Sequence, residues 1–302
     1  MFQEHHGLLI IDKPINMTSA SVVSRVKRSL NARKVGHAGT LDPFATGVII
    51  CCVNRATRLA RFFLGGDKKY RALLHLGIET DTQDATGKII SENQLRNYTE
   101  TEIQAVFRSF TGPIEQVPPA YSALKHQGVP LYKHARRGKP IQKPARQIDI
   151  FDLHIDEIQL PHVRFEVACS AGTYIRTLGA DIGRALGCGG HIKELRRLES
   201  SGFSVENAMT LEVFEKRSDT ESFFDYAVGM ADALKNMPEW IARRRLKESI
   251  VNGNPLTYKD VPLTKKTAAE RFIKIIDSNR NLLAVIERNQ DQDKYQYCCV
   301  FN

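Results

Sequence analysis

The chain has 302 residues, 42% hydrophobic and 25% charged, the composition of a packed globular protein of roughly two domains. No run reaches the ~18 apolar residues of a membrane span, and the start, MFQEHHGLLIIDK, lacks the basic region and long apolar core of a signal peptide. A cytoplasmic protein is therefore expected, and the excess of 43 Lys and Arg over 34 Asp and Glu, a net charge of +9, favours a polyanionic partner.

The six cysteines, Cys51, Cys52, Cys169, Cys188, Cys298 and Cys299, include no CxxC and read as buried thiols, not as a zinc or disulfide framework. The absence of a Walker loop, a dinucleotide fingerprint, HExxH or a Ser-His-Asp signature argues against nucleotide hydrolysis, redox and zinc chemistry. His5, His6, His75, His154 and His162 are scattered and read as surface or core residues, with no metal expected.

In chain order, residues 7–12 (GLLIID) predict a buried strand that feeds Lys13-Pro14, and Thr18 or Ser19 caps a helix over 21–30 with Val22, Val23, Val26 and Leu30 on one face. Residues 36–47, GHAGTLDPFATG, predict a loop. Its glycines permit positive φ, and the residue before Pro43 is disfavoured in a helix. Asp42 in such a loop suits a nucleophile, a general base, a metal ligand or a turn-former. Thr46–Val53 (TGVIICCV) predicts a central strand, after which Arg55, Arg58, Arg61, Lys68, Lys69 and Arg71 are opposed only by Asp67.

Tyr70 opens an alternating strand, followed by an acidic loop and a return strand over 86–91. Thr99 and Glu102 form a capping box for a helix to about Phe110, which Gly112-Pro113 ends. Residues 118–146 carry seven Lys or Arg, no acid, and Tyr121, Tyr132, His126 and His134. They read either as a solvated flexible insertion or as an RNA-gripping loop, whose cations release counterions and whose rings stack on unpaired bases.

Residues 147–158 and 163–170 predict paired strands turning at Pro161-His162, and a helix after Gly172 carries Tyr174, Ile175, Leu178, Ile182 and Leu186. Arg176 sits near that helix N-terminus, where the macrodipole disfavours a cation; this suggests an anionic partner, the alternative being a solvated arginine. Residues 191–198 read as a basic strand or turn, and 210–214 begin a helix. Arg243, Arg244, Arg245 and Lys247 precede a short helix ending at Gly253, and strands over 271–276, 282–287 and 295–301 make a small all-β module.

DKPINMTS at 12–19, KVGHAGTLDPFATGVIICCVNRATRL at 34–59, KKYRA at 68–72, SAGTYIRTLGADIG at 170–183 and HIKELRRLESSGF at 191–203 resemble, in the same order, the motifs of the bacterial TruB-family tRNA pseudouridine synthases, which isomerise the T-loop uridine at tRNA position 55. The resemblance implies an α/β (α+β) pseudouridine synthase fold: a mixed, mostly antiparallel sheet flanked by helices over 1–250, and a small β-rich PUA-like RNA-binding domain over 251–302. It implies Asp42 as the catalytic aspartate, Tyr70 stacked on the flipped base and placed to take the C5 proton, and Arg176 paired with the Asp42 carboxylate. Tyr174 and Leu195 would wall the pocket, Lys13 and Pro14 would support the catalytic loop, His37 would contact RNA where the base has left its stack, and Asp84 would hydrogen-bond in the pocket.

By the same resemblance, 118–146 is a thumb insertion closing on the T arm, with Lys125, Arg136 and Arg137 as RNA contacts. The expected partner is the T arm and elbow of free tRNA, with no guide RNA, no membrane, no cofactor and no metal, and the protein is expected to be a monomer. A stacked base hides its glycosidic bond, so flipping is required. A guanidinium beside the aspartate would hold it ionised and aimed. Asn16 stands where the family usually has glycine; asparagine tolerates left-handed φ, so the turn is expected to survive.

Overall fold

The computed structural model describes residues 5–218, 222–262, 264, 267, 270–289 and 293–301. Among these, ten strands form one mixed sheet whose path runs Met209–Thr210, Gly7–Lys13, Thr46–Val53, Gly190–Ser200, Lys68–Leu76, His162–Cys169, Arg146–Gln159, Gly112–Gln116. Val35–His37 adds to Thr46–Val53, and Phe203–Ser204 to Gly190–Ser200. Neighbours are antiparallel except at two short joints: Ile11 and Asp12 beside Met209 and Thr210, and Arg196 and Arg197 beside Thr46 and Gly47.

Side-chain alternation decides what each half of the sheet packs against. In Lys68–Leu76, Tyr70, Ala72, Leu74 and Leu76 point into a core with Phe165 and Val167, covered by helices Glu100–Ser109 and Ile175–Ala185. Lys69 and Arg71 point to the other side, where each pairs with Glu166 at 2.6 Å. The strands Gly7–Lys13 and Thr46–Val53 are instead buried on both faces. Leu9, Ile11, Ile49, Cys51 and Val53 lie under helices Ser19–Ser29 and Leu211–Ser218, and Leu8, Ile10, Val48, Ile50 and Cys52 share a core with Ile276, Leu282, Val285, Cys299 and Phe301. Burial on both faces is why TGVIICCV is continuously apolar while YRALLHL alternates. All six cysteines are free thiols, five of them buried.

The anticipated caps form: Thr18 accepts from Ser21 N, and Thr99 and Glu102 make a reciprocal box. Other segments depart from expectation. Gly112-Pro113 does end the helix, but Gly112–Gln116 then becomes the sheet's edge strand, a position that tolerates proline's missing N–H. The return strand starts only at Ile89, because Thr86 turns its N–H and hydroxyl onto the Asp84 carboxylate. The basic insertion contains a small hairpin, Lys125–His126 with Val129–Pro130, and a helix, Leu131–Arg136, whose Leu131 and Ala135 are buried.

The small C-terminal sheet has five strands among the described residues: Glu239–Ile241, Phe272–Ile276, Leu282–Arg288, Lys294–Val300 and Leu256–Thr257. Three were expected; the two extra ones are too short for a period-two pattern to register. The first lies before residue 251. Helix Arg244–Val251 packs Leu246 and Ile250 into that sheet's core. Arg244, Arg245 and Lys247 therefore belong to the helix and do not precede it; Arg243 is its N-cap. Lys274, 3% exposed, donates to Ala231 O (2.9 Å) and Leu234 O (3.1 Å), fastening the two sheets' surroundings together.

Helix Ile175–Ala185 lies close on the sheet because two of its residues lack side chains. A Cβ at Gly183 would stand 2.4 Å from the carbonyl carbon of Gly189, and one at Gly179 would stand 2.5 Å from Cδ1 of Ile192. Alanine gains up to about 1 kcal/mol of helix propensity over glycine, while overpacking costs about 1–3 kcal/mol. A side-chain tip can rotate away and a peptide cannot. At Gly179 the Cβ would also stand 2.9 Å from Cγ1 of the fully buried Ile192, so urea denaturation should show both variants destabilised and Gly183→Ala the more so; equal midpoints would contradict this account of the helix's seat.

Candidate active site

The loop that carries Asp42 is held from several directions. Ser19 Oγ donates to Leu41 O (3.1 Å) and accepts from Leu41 N (2.9 Å), tying the loop to the start of helix Ser19–Ser29. Lys13, fully buried, donates from Nζ to Pro14 O (2.9 Å), Met17 O (2.7 Å) and Pro43 O (3.2 Å). Burial lowers its pKa to about 8, with the Asp42 charge opposing the fall. Asn16, beside these carbonyls, adopts φ +62°, the left-handed conformation that asparagine was expected to supply. Pro14 is exposed and contributes its carbonyl.

Beneath the loop lies Arg197, 1% exposed, which donates Nε to Val48 O (2.7 Å) and its terminal nitrogens to Gly39 O (3.2 Å) and Thr40 O (3.5 Å). Its backbone passes so near Gly47, at φ +102°, that a Cβ there would stand 2.1 Å from Arg197 O. The short parallel joint of the sheet needs that glycine. Next to it, Arg196 makes a two-point pair with Asp12, at 3.1 and 2.7 Å.

Asp42 itself retains about a third of its side-chain exposure and accepts from Arg176 Nε at 2.8 Å. Arg176, on the first turn of its helix and 3% exposed, uses its other nitrogens on Thr82 O (2.6 Å) and Tyr121 O (2.7 Å). Asp84 Oδ2 stands 3.6 Å from Arg176 Nη1, while Oδ1 accepts from Thr82 Oγ1 (2.8 Å), Thr86 N (2.9 Å) and Thr86 Oγ1 (2.6 Å). Two carboxylates thus answer a cation at a helix N-terminus, where the dipole alone would repel it.

Tyr70 and Leu195 join Leu41, Phe44 and Ile175 in one apolar cluster beside this pair. Burial raises the Tyr70 pKa, the Arg197 guanidinium pulls it down, and the Asp42 charge adds to the rise. The ring is therefore within electrostatic reach of both charges. His37 ends strand Val35–His37, half-buried, with Nδ1 unbonded; burial and Arg197 both lower its pKa, which favours a neutral ring. Tyr174 is the N-cap of the helix that carries Arg176. Its backbone exchanges hydrogen bonds with the Gln116 amide (2.8 and 3.0 Å), and its ring lies 5.0 Å from the Arg146 guanidinium, at the stem of the insertion. Lys125, Arg136 and Arg137 are exposed on the insertion, with the Arg136 guanidinium 5.5 Å from the Tyr132 ring. The insertion is tied to the Asp42 partner through Tyr121 O, which accepts from Arg176.

Sequence reasoning did not single out Arg197 or Gln116, and named Ser19 only as a helix cap. A signal for Arg197 was available: it stands two positions from Leu195 in HIKELRRL, and period two puts both on the inward face. Among the described residues no group of three or more His, Cys, Asp or Glu is arranged to hold a metal ion, and no helix is long and apolar enough to cross a membrane.

Residues 27–175 match the family description "TruB family pseudouridylate synthase (N terminal domain)", and residues 176–234 match "tRNA pseudouridylate synthase B C-terminal domain". Curated relatives named tRNA pseudouridine synthase B include one from Geobacter sulfurreducens, 43% identical over 84% of this chain and 84% of its own, and one from Syntrophus aciditrophicus, 46% identical over 92% and 90%. Among solved structures, a chain of a Cbf5-Nop10-Gar1 complex has a TM-score of 0.72 at 28% identity, covering 98% of this chain and 84% of that one. A chain of an H/ACA RNP bound to a substrate RNA containing 2'-deoxyuridine has a TM-score of 0.69 at 27% identity, covering 96% and 81%. The pseudouridine synthase fold, the motif order and these relatives agree, and the chain belongs to the TruB family of pseudouridylate synthases.

Proposed function

We propose that this protein isomerises the T-loop uridine at position 55 of free tRNA to pseudouridine, by flipping the nucleotide and acting on it with Asp42. The observation that carries the reading is the Asp42–Arg176 ion pair at 2.8 Å, in a loop pinned by Ser19, Lys13 and Arg197. Extruding a stacked base costs a few kcal/mol, recovered by stacking and hydrogen bonding in the pocket. Tyr70 supplies the stacking face, Leu195 an apolar wall, and the half-buried ring of His37 the filler for the gap left in the RNA. Positioning and electrostatics supply the rate.

In the reaction the N1–C1′ bond breaks, the uracil rotates, a C5–C1′ bond forms, and the C5 proton passes to a base while N1 gains a proton. Asp42 provides the anionic oxygen that starts this exchange, and the Tyr70 hydroxyl, which burial keeps protonated, receives the C5 proton as its own proton passes to N1. The insertion at 118–146 grips the T arm through Lys125, Arg136 and Arg137. Its stem is bonded to Arg176 through Tyr121 O, so closure on RNA is coupled to the ion pair. Residues 1–250 act as the catalytic part and 251–302 as a PUA-like module. The protein works in the cytoplasm as a monomer with no guide RNA, a reading supported by the acid-free insertion and by relatives named for tRNA.

Asp42→Asn should bind tRNA normally and lose isomerisation by at least about a thousandfold. The fold should persist, because Arg176 keeps its two carbonyls and Asp84. Tritium release from C5-labelled uridine in tRNA reads the activity, and undiminished release from the variant would overturn the mechanism. Purified wild-type protein alone should modify a T-arm stem-loop; a requirement for a second RNA would exclude the guide-free reading.

Lys13 provides a pH test. Its ammonium clamps Pro43 O, and its pKa is lowered to about 8 by burial, so activity should fall above about pH 8 as the proton leaves. The unfolded chain holds that proton to its ordinary value of 10.5, so between these values the group adds to stability as pH rises. Loss of activity without a fall in the urea midpoint is the expected result, with Lys13→Arg moving the activity limb upward. A limb unmoved in that variant would remove Lys13 from the account.

A further inference from the structure

The insertion leaves the sheet after Gln116 and returns at Arg146, and these two residues face each other as register partners on neighbouring strands. Both reach across to the same place, the segment just ahead of helix Ile175–Ala185. Gln116, 1% exposed, accepts from Tyr174 N through Oε1 (2.8 Å) and donates to Tyr174 O through Nε2 (3.0 Å). Arg146 donates to Gly172 O and lies over the Tyr174 ring. Gly172, at φ +90°, passes so near that a Cβ there would stand 3.2 Å from Arg146 Nη2.

Tyr174 is the helix N-cap, and its own side chain makes no capping bond. In a capping box the N-cap N–H is met by a Glu or Gln three residues on. That position here is Thr177, whose hydroxyl donates instead to the Gln83 side chain (2.8 Å), and the cap comes from Gln116, 58 residues earlier in the chain. Tyr174 O also accepts the helix's first backbone bond, from Leu178 N (3.0 Å). Arg176 follows two residues later, so its Nε bond to Asp42 inherits the position of the helix start. A second tie runs from the insertion itself, where Tyr121 O accepts from Arg176. Arg146 is the looser half of the root, with Nε buried and unbonded, whereas Gln116 has both ends of its amide met.

We infer that Gln116 is a positioning residue for the reaction: with Arg146 opposite it, Gln116 clasps segment 172–174, so that the stance of the insertion on RNA sets the direction in which Arg176 holds the Asp42 carboxylate. The inference rests on the reading of Asp42 as the reacting acid and names what carries the insertion's position to it. Gln116 acts through Tyr174 and Arg176 and touches no RNA in this role. A displacement of about 1 Å at a reacting group costs on the order of 100-fold in rate even when its cause lies far from the chemistry.

Gln116→Met keeps the length of the side chain and removes both bonds. Its Kd for full-length unmodified tRNA should stay within about twofold of wild type, while the single-turnover rate of pseudouridine formation at saturating tRNA falls about 10- to 100-fold. Arg146→Lys keeps the charge but not the planar stack on Tyr174, and should lose about 3- to 10-fold in the same rate at unchanged Kd. This second variant decides the matter where Gln116→Met does not fold. Thr99→Ala, which removes the capping box of helix Glu100–Ser109, lowers the urea midpoint without touching segment 172–174 and should keep the wild-type rate. Wild-type rates in both clasp variants, a loss that more tRNA restores, or an equal loss in Thr99→Ala each overturns the clasp, and the reading of Asp42 survives as long as the wild-type protein modifies tRNA. A wild-type protein that does not modify tRNA removes both.

Discussion

One guanidinium holds the site together. Arg176 reaches from the first turn of its helix to Asp42 on one loop, to Thr82 and Asp84 on a second, and to Tyr121 at the root of the basic insertion. A buried cation is costly unless its donors are met, and here each nitrogen has an oxygen within reach. The same contacts that make its burial tolerable fix the direction of the Asp42 carboxylate. Three segments distant in sequence therefore cannot shift independently, which is what preorganised electrostatics requires.

Apart from Ser19, the rest of the loop's support is also cationic, but the acceptors are carbonyls. Lys13 holds Pro14, Met17 and Pro43, and Arg197 holds Gly39, Thr40 and Val48. Backbone dipoles meet the donors without adding another acid, so Asp42 remains the single carboxylate of residues 13–66. Its surroundings are correspondingly positive. Arg197 acts on Tyr70 and His37 as well, opposing the rise of the phenol's pKa and adding to the fall of the imidazole's.

The C-terminal sheet is joined to the rest by a shared core, where Ile276, Leu282, Val285 and Phe301 meet Leu8, Ile10 and Val48. Its surface keeps a fixed bearing on the Asp42 loop. A small module, whose strands run from Glu239 to Val300, buries too little alone, and the double-faced burial of Gly7–Lys13 and Thr46–Val53 is completed by it.

Local chemistry made much of this legible in the chain. The capping box at Thr99, the alternation after Tyr70, the continuous apolar run at 46–53 and the left-handed Asn16 are short-range effects, decided by neighbouring residues, and the structure has each of them. The Asp42 loop and its partner Arg176 were legible through their motifs. Edge strand Gly112–Gln116 and the two added strands of the small sheet were not, because strands of two to five residues exist only through their neighbours' hydrogen bonds. Arg197 was legible only as an inward-facing residue of its strand, since its role depends on carbonyls about 150 residues away in the chain. Which of the many cations are paired was likewise decided in three dimensions: Arg71 and Arg55 read alike in sequence, yet Glu166 lies across the sheet from one, and among the described residues no carboxylate pairs with the other. Residue type and spacing determined the elements and the loop that holds Asp42, whereas long-range pairing, which no local pattern encodes, determined what each charge meets.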